Sequence, residues 1–352
     1  MMVDDAMNLL REMVAVPSPS FEETAVRDLI SGKLAEWGIQ HQIIRNNIVC
    51  KSSGFSSSKK TLLLCAHIDT VPPAEEYVAD PAIAPEDIIC GLGSNDDGGS
   101  VVSMIQVFRH FKDEELPFNL VLTLTAEEER SGPDGMRYMW DNELRSYVDW
   151  AIVGEPTGMR AATSERGLLV IDGTAKGVSG HAARNEGVNA LYIALDDIQA
   201  LRSHKFSKVS PIMGDVHLNV TQINAGTAHN VIPDRCTFVV DVRPTEQYTN
   251  QELFDELQGI CRSELKARNL SNCSSASNGD SALVKAVKEL GIETFSSPTT
   301  SDWMRISCDA VKMGPGESSR SHKKNEFILR SEIADAIDKY IKLIRHYGNT
   351  LE

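Results

Sequence analysis

The fold can be interpreted from one stretch of the sequence, Thr61-Leu62-Leu63-Leu64-Cys65-Ala66-His67-Ile68-Asp69-Thr70. Its short aliphatic run ends in polar residues, a pattern typical of a buried strand. His67 and Asp69 then emerge at the strand end, two positions apart and on one face. In open α/β sheets, chemistry is placed at this end of the strands. Asp69 would be a second metal ligand or the carboxylate that fixes the tautomer of His67, although an isolated His-x-Asp is more often a satisfied polar pair.

Two further predicted strands are followed by carboxylates. Residues 119–125 alternate apolar and polar side chains and precede Glu128 and Glu129, while residues 150–153 precede Glu155. A run of surface carboxylates is usually a solvated patch. At the end of a core strand, however, like charges held close together repel, which raises a pKa or recruits a cation. Because the pattern recurs after three strands, the sequence predicts a cluster of ligands.

A glycine-rich loop, Gly91-Leu92-Gly93-Ser94-Asn95-Asp96-Asp97-Gly98-Gly99, leads into an apolar helix. The loop suggests a dinucleotide fingerprint, but Asp96 occupies the third glycine position, where a carboxylate would repel a pyrophosphate. The glycines allow a tight backbone path that turns Asp96 inward toward a cation. A helix cap made by an Asn or Asp side chain is the alternative.

Composition limits the class of protein. The chain has 352 residues, more than a single core usually serves, so two domains are expected. Its net charge of −15 argues against binding to nucleic acid or acidic membranes, because both need a basic surface. Seven cysteines without a Cys-x-x-Cys pair fit reduced thiols. With an acidic N-terminus and no apolar run of membrane-spanning length, we expect a soluble cytoplasmic protein.

The pattern changes within residues 166–269, which we expect to form an inserted α+β domain. Antiparallel strands with helices on one face would give such a unit. The strands are predicted at residues 168–174, 216–223 and 236–242, and the helices at 188–201 and 250–265. Residues 1–165 and 270–352 would then form the other domain.

Local signals near the N-terminus predict a second helix and a strand. Ser20-Phe21-Glu22-Glu23 has the form of a capping box that begins the helix. Residues 43–50 have the composition of a strand.

The candidate ligands together are two imidazoles and several carboxylates: His67, Asp96, Glu128, Glu129, Glu155 and His322. Such a set suits two zinc-like ions, with one bridging carboxylate and one carboxylate left free as a base. In this combination, and over essentially its whole length, the chain resembles the co-catalytic zinc amidohydrolases and exopeptidases, the group that includes acetylornithine deacetylase and succinyl-diaminopimelate desuccinylase.

The resemblance implies an α/β fold, in which a mixed sheet flanked by helices carries the metals and the inserted α+β domain acts as lid and dimerisation surface. It also implies two divalent metal ions, zinc or alternatively cobalt, a small N-acyl amino acid as substrate, and a homodimer. The implied roles are as follows: His67 and Glu155 on one metal, Glu129 and His322 on the other, Asp96 bridging, Asp69 orienting His67, Glu128 as general base, His181 stabilising the oxyanion in the partner's site, and Asn230 and Arg243 binding the substrate carboxylate.

The loop departs from the family pattern, with Leu92 and Gly98 in place of the usual Arg and Lys. Neither position is a ligand, so the departure points to a subgroup, an acylornithine deacylase in which succinylornithine replaces acetylornithine. A second cation for succinyl would come from Arg184, Arg305, Arg320 or Lys323. The alternatives are a desuccinylase or a di- or tripeptidase of the same family, a catalytically silent binding protein on this fold, and a hydrolase with Cys65 as nucleophile.

Overall fold

The computed structural model describes residues 1–73, 86–184 and 186–350, and the chain divides into two units. The first unit comprises Met1–Thr163, Ala276–Phe295 and Ser301–Glu352, and the second comprises Ser164–Ser275 and Ser296–Thr300. Among the described residues, no helix combines the length and the apolar character needed to cross a membrane.

The helices and strands of the described residues are numbered in chain order. The helices are α1 (Met2–Val14), α2 (Thr24–Glu36), α3 (Gly99–Phe111), α4 (Met136–Met139), α5 (Ala190–Ser203), α6 (Asn250–Ile260), α7 (Ala282–Glu289) and α8 (Arg330–Asn349). The strands are β1 (His41–Ile44), β2 (Asn47–Lys51), β3 (Thr61–His67), β4 (Ile88–Cys90), β5 (Asn119–Thr125), β6 (Trp150–Val153), β7 (Ala161–Glu165), β8 (Leu169–Lys176), β9 (Gly180–His181), β10 (His217–Ala225), β11 (Val231–Ile232), β12 (Arg235–Arg243), β13 (Glu264–Ala267), β14 (Ser275–Ala276), β15 (Thr294–Ser297), β16 (Asp309–Lys312) and β17 (Phe327–Leu329).

The largest sheet is mixed and brings the predicted strand ends together. Its order is β1-β2-β5-β3-β6-β16-β7-β14, with β15 pairing with β7. β3 runs parallel to both of its neighbours, so that His67 pairs with Thr125 of β5 and Cys65 pairs with Val153 of β6. The carboxyl ends of three strands therefore lie side by side. The predicted α/β class, a mixed sheet flanked by helices, is confirmed.

Both faces of β3 are covered, which explains why its sequence is an uninterrupted apolar run. Leu62 and Leu64 belong to a core that includes residues of α1, α3 and α8, whereas Leu63 and Cys65 belong to a core that includes residues of α4. Burying one leucine side chain contributes roughly 1.5–3 kcal/mol, so this strand is a major anchor of the sheet. His67 follows as the last residue of a rigid element.

Two local predictions near the N-terminus were wrong. Residues 43–50 form a hairpin of β1 and β2 rather than one strand, because Arg45 adopts a left-handed φ of 57° at the turn. The predicted capping box does not form, and α2 begins only at Thr24. Its two polar residues have other partners: Ser20 Oγ donates to Asp69, and Glu23 accepts hydrogen bonds from the Phe21 amide and the Asn46 side chain.

The second unit contains an antiparallel sheet in the order β10-β12-β8-β13. Inward-facing residues of β8 and β12 share one apolar core with residues of α5 and α6. Helix α6 stops at Ile260, earlier than predicted, and residues 264–267 form β13 on the edge of β8. Asp197 explains the break, because its carboxylate accepts the amide hydrogens of Arg262 and Ser263 at 2.9 and 2.7 Å and fixes an extended turn there.

Candidate metal centre

His67 is held in one orientation at the end of β3. Its side chain is 2% exposed, and its Nδ1 lies 3.0 Å from the main-chain oxygen of Asp69. Because a carbonyl oxygen can only accept, Nδ1 is the donor of this hydrogen bond. Nε2 therefore faces Asp96, whose Oδ1 lies 3.1 Å away. This is the arrangement in which a histidine presents Nε2 to a metal.

Asp96 lies between the two candidate imidazoles. It belongs to the irregular turn Ser94–Gly98, which begins after Gly93 at a left-handed φ of 77°. Its Oδ2 lies 3.6 Å from Nε2 of His322, while its Oδ1 contacts His67. One carboxylate therefore directs each of its oxygens to a different histidine, which is the geometry expected of a bridging ligand.

Glu128, Glu129 and Glu155 complete the cluster. Nε2 of His322 lies 2.9 Å from Oε1 of Glu129. Potential ligand atoms of His67, Asp96 and Glu129 lie within 4.8 Å of one another, and so do those of His67, Glu128 and Glu155. The structure thus brings together all six residues of the predicted constellation, and the two groups share His67.

Burial makes these carboxyl groups hard to ionise. It raises the pKa of Glu128 and of Glu155 well above the ordinary glutamate value, and it raises the pKa of Glu129. The hydrogen bond to Glu129 raises the pKa of His322 to about 9. Carboxylates crowded in a buried site are stabilised in their charged form by a cation, so the donor set and its electrostatics fit divalent metal.

Asp69 has a role that the sequence did not reveal. Its Oδ1 accepts the amide hydrogen of Glu128 at 3.0 Å, its Oδ2 accepts that of Glu129 at 3.1 Å, and Ser20 Oγ donates to Oδ2 at 2.6 Å. The carboxylate is farther from His67, with Oδ1 at 3.5 Å from Nδ1. Asp69 therefore fixes the turn that carries both glutamates, and it holds His67 mainly through its main-chain oxygen.

Glu127, the first of the three successive glutamates, is not part of the cluster. It has a left-handed φ of 62°, and its Oε2 accepts the amide hydrogen of Asp134 at 2.9 Å. The strained turn directs the next two side chains toward the histidines.

The remaining predicted site residues lie in the second unit and are more accessible. His181 and Asn230 are exposed. His181 ends β9, Asn230 directly precedes β11, and the main-chain oxygen of Asn230 accepts the Ala182 amide hydrogen at 3.0 Å. Arg243 forms two hydrogen bonds to Asp241, through Nε at 2.8 Å and Nη2 at 3.0 Å. The predicted carboxylate-binding arginine therefore already has a carboxylate partner within its own strand.

The model of peptidase family M20/M25/M40 matches residues 63–346. The chain belongs to this family. The M20 match confirms the suspected relationship, and membership identifies the protein as a hydrolase. It is 26% identical to acetylornithine deacetylase of Proteus mirabilis (strain HI4320), covering 97% of this chain and 96% of that one. It is 28% identical to succinyl-diaminopimelate desuccinylase of Xanthomonas campestris pv. campestris (strain B100), covering 74% and 73%.

Solved structures show the same M20 fold. A tripeptidase of Staphylococcus aureus superposes with a TM-score of 0.80 at 20% identity, covering 99% of both chains. A dinuclear metal-binding peptidase of Bacillus subtilis, also from family M20, superposes with a TM-score of 0.74 at 17% identity, covering 97% of both chains.

A further carboxylate of this M20 chain, Asp302, was missed from the sequence. Its Oδ2 accepts the hydroxyl hydrogen of Thr125 at 2.6 Å and lies 3.9 Å from Sγ of Cys65. Burial raises the pKa of Asp302 to about 6. Burial and then the charge of Asp302 raise the pKa of the Cys65 thiol well above its usual range, which argues against the thiolate nucleophile considered from the sequence.

Proposed function

We propose that the protein hydrolyses the amide bond of an N-acyl amino acid, with N-acetylornithine or N-succinylornithine as substrate. The observation that carries the proposal is the position of Asp96 between His67 and His322, with Glu128 and Glu129 beside them. The names of two relatives, a deacetylase and a desuccinylase of acylated amino acids, supply the substrate class.

The residues present fit two divalent ions, zinc or alternatively cobalt. His67 and Glu155 would hold one ion, Glu129 and His322 the other, and Asp96 would bridge them. Such ions lower the pKa of a water molecule and polarise a carbonyl group. The related dinuclear peptidase supports a count of two.

Glu128 would act as the general base. Its carboxylate would accept the proton of the attacking water and pass it to the leaving amine. Burial raises the pKa of Glu128, and a divalent cation beside it would keep the carboxylate ionised so that it can accept a proton. Asp69 would hold Glu128 in place through the main-chain amide.

In substrate recognition, Arg243 and Asn230 would bind the α-carboxylate, and a second cation would favour succinyl over acetyl. Among the four candidate cations, Arg320 contacts Glu332 at 2.8 Å and stacks on the ring of Phe327 at 4.3 Å. We favour Arg184 and Lys323 for that role, because their side chains are exposed to an incoming ligand, and Arg305 stays a candidate.

We also propose a homodimer in which His181 serves the partner's site. Two features of the second unit support a dimer. In its described sheet, β10 has a free edge, and Tyr192 and Leu195 of α5 are 65% and 47% exposed. Mixing inactive His181→Ala with inactive Glu128→Ala should restore about a quarter of wild-type activity, since half of the dimers would contain one intact site. No recovery after demonstrated subunit exchange would exclude action in trans.

A cytoplasmic location is proposed on the basis of seven free thiols, three of which are buried. Cell fractionation with a specific antibody would test it.

The substrate is tested by measuring kcat/KM for N-acetylornithine, N-succinylornithine, N-succinyl-diaminopimelate and several dipeptides in the presence of zinc or cobalt. We expect an acylornithine to be preferred, with succinyl over acetyl if a second cation faces the acyl group. Preference for dipeptides would favour the peptidase alternative. No turnover of any compound by metal-loaded protein would favour the silent binding protein.

A further inference from the structure

Two residues outside the ligand set join the segments that carry Asp96 and His322. Asp96 lies in the turn Ser94–Gly98, and His322 lies between Glu317 and Glu326. The two segments are more than 200 residues apart in sequence, yet several hydrogen bonds connect them. They are made by the side chains of Asn95 and Glu326.

Glu326 forms hydrogen bonds to the turn from one side. It is 1% exposed, and its Oε1 accepts the amide hydrogens of both Asn95, at 2.9 Å, and Asp96, at 3.0 Å. Its main-chain oxygen accepts the amide hydrogen of Gly91 at 3.0 Å, at the start of the same loop. A carboxylate that accepts two successive amides fixes the direction of the peptide between them, and hence of the Asp96 side chain.

Asn95, from within the turn, forms hydrogen bonds to the segment that carries His322. It is fully buried, and its Oδ1 accepts the amide hydrogen of Glu317 at 3.0 Å. Its Nδ2 donates to the main-chain oxygen of Glu317 at 3.1 Å and to Ser321 Oγ at 3.3 Å. A Cβ on Gly316, which has a φ of 79°, would lie 2.2 Å from Oδ1, so the contact requires glycine there. Thus the segment is fixed before His322 by Asn95 and after it by Glu326.

We propose that Glu326 and Asn95 are positioning residues that hold Asp96 and His322 at the spacing required by the second metal ion. The inference rests on the proposed two-metal function. His322 itself has a left-handed φ of 60°, and its half-exposed side chain contacts Glu129 and Asp96, so these contacts depend on how its own segment is held. Residues that orient metal ligands typically change metal affinity by about 10- to 100-fold when they are replaced.

The test uses three variants of Glu326. Glu326→Ala removes the acceptor, Glu326→Asp keeps the charge but shortens the side chain, and Glu326→Gln keeps an oxygen of the same reach without the charge. Metal-free protein would be titrated with cobalt(II), following the d–d absorption band and the number of ions bound. We expect the affinity for the second ion to fall about 10- to 100-fold in Glu326→Ala and Glu326→Asp, and to recover in Glu326→Gln.

Asp197 supplies the matched control. It is another buried carboxylate that accepts two successive amides, those of Arg262 and Ser263, but it lies in the second unit. Asp197→Ala should lower the melting temperature without changing either cobalt affinity. Asn95→Asp, which keeps Oδ1 but loses the Nδ2 donor, should weaken the second ion, which His322 would hold, more than the first.

The outcomes separate the inference from the function on which it rests. Two ions bound with wild-type affinity by folded Glu326→Asp and Asn95→Asp would overturn the positioning role alone. Weak binding by Glu326→Gln with normal binding by Glu326→Asp would also overturn it, because charge rather than reach would then matter. Fewer than two ions in the wild-type protein would overturn the proposed function as well. If Glu326→Ala fails to fold, the other variants still decide.

Discussion

Several buried carboxyl groups of the first unit and surface carboxyl groups of the second have pKa values shifted in opposite directions. In the first unit, burial raises the pKa of Glu128, Glu155 and Asp302. In the second unit, hydrogen bonds from Arg268 and Lys176 lower the pKa of Asp172 and Glu264, which lie at the surface. The same residue types are thus buried in the unit that carries the candidate metal centre and form surface ion pairs in the other. The difference shows where the fold concentrates negative charge that a divalent cation would relieve.

The largest expected effect is that of metal removal. A chelator should abolish turnover, and zinc or cobalt should restore it, because Asp96 and the glutamates would lose the cation that stabilises their charges. The structural effect should be confined to one unit: amide hydrogen exchange should accelerate in β3 and β5 and stay unchanged in β8 and β12. Full activity of demonstrably metal-free protein would refute the metal assignment.

The next effect separates the adjacent glutamates Glu128 and Glu129. Glu128→Ala should reduce kcat by about 10²- to 10⁴-fold, the usual range for a general base, while both ions stay bound. Glu129→Ala should also lose one ion, because its oxygen lies beside His322. Atomic absorption on both purified proteins gives the metal content. Since Glu128 also lies within ligand distance of His67 and Glu155, equal metal loss in the two variants would assign it as a ligand instead.

Five of the six members of the cluster follow a local signal in the sequence, whereas His322 has none of its own. His67 and Glu155 follow apolar strands, and Asp96 follows a glycine-rich turn, so their common position could be predicted from the strand ends and this turn. The parallel pairing of β3 with β5 and β6 then makes neighbours of residues that are far apart in the chain.

The supporting residues could not be predicted in this way. Asp69 contacts the amide of Glu128 across 59 residues, Asp302 contacts Thr125 across 177, and Glu326 contacts Asp96 across 230. Asp69 and Glu326 accept main-chain amide hydrogens, which place no demand on the identity of the donating residue and leave no pattern in sequence. For the same reason, the sequence did not predict the early end of α6, which Asp197 causes. The Asp302–Thr125 hydrogen bond joins two side chains too far apart in the chain to form a recognisable spacing.

The smallest effects concern stability, and they test the contrast between the units directly. The pKa of folded Asp302 is raised from 3.8 to about 6, so the protonated form is favoured by folding. The contribution of the protonated carboxyl group to the free energy of unfolding is complete below pH 3.8 and is lost as the pH rises to about 6. In metal-free protein, Asp302→Asn should therefore be more stable than wild type by up to about 3 kcal/mol above pH 7 and gain nothing below pH 4. Urea unfolding across this pH range measures the difference.

Asp172 of the second unit should behave with the opposite sign. Its pKa is lowered by the hydrogen bond from Arg268, so its contribution is present above the unfolded pKa and is lost as the pH falls. Both side chains of this pair are about half exposed, so Asp172→Asn should destabilise by less than about 1 kcal/mol at pH 7, less still at high salt, and not at all in acid. A gain in stability for Asp172→Asn at pH 7, or a loss for Asp302→Asn, would mean that the two units do not differ in how they compensate negative charge.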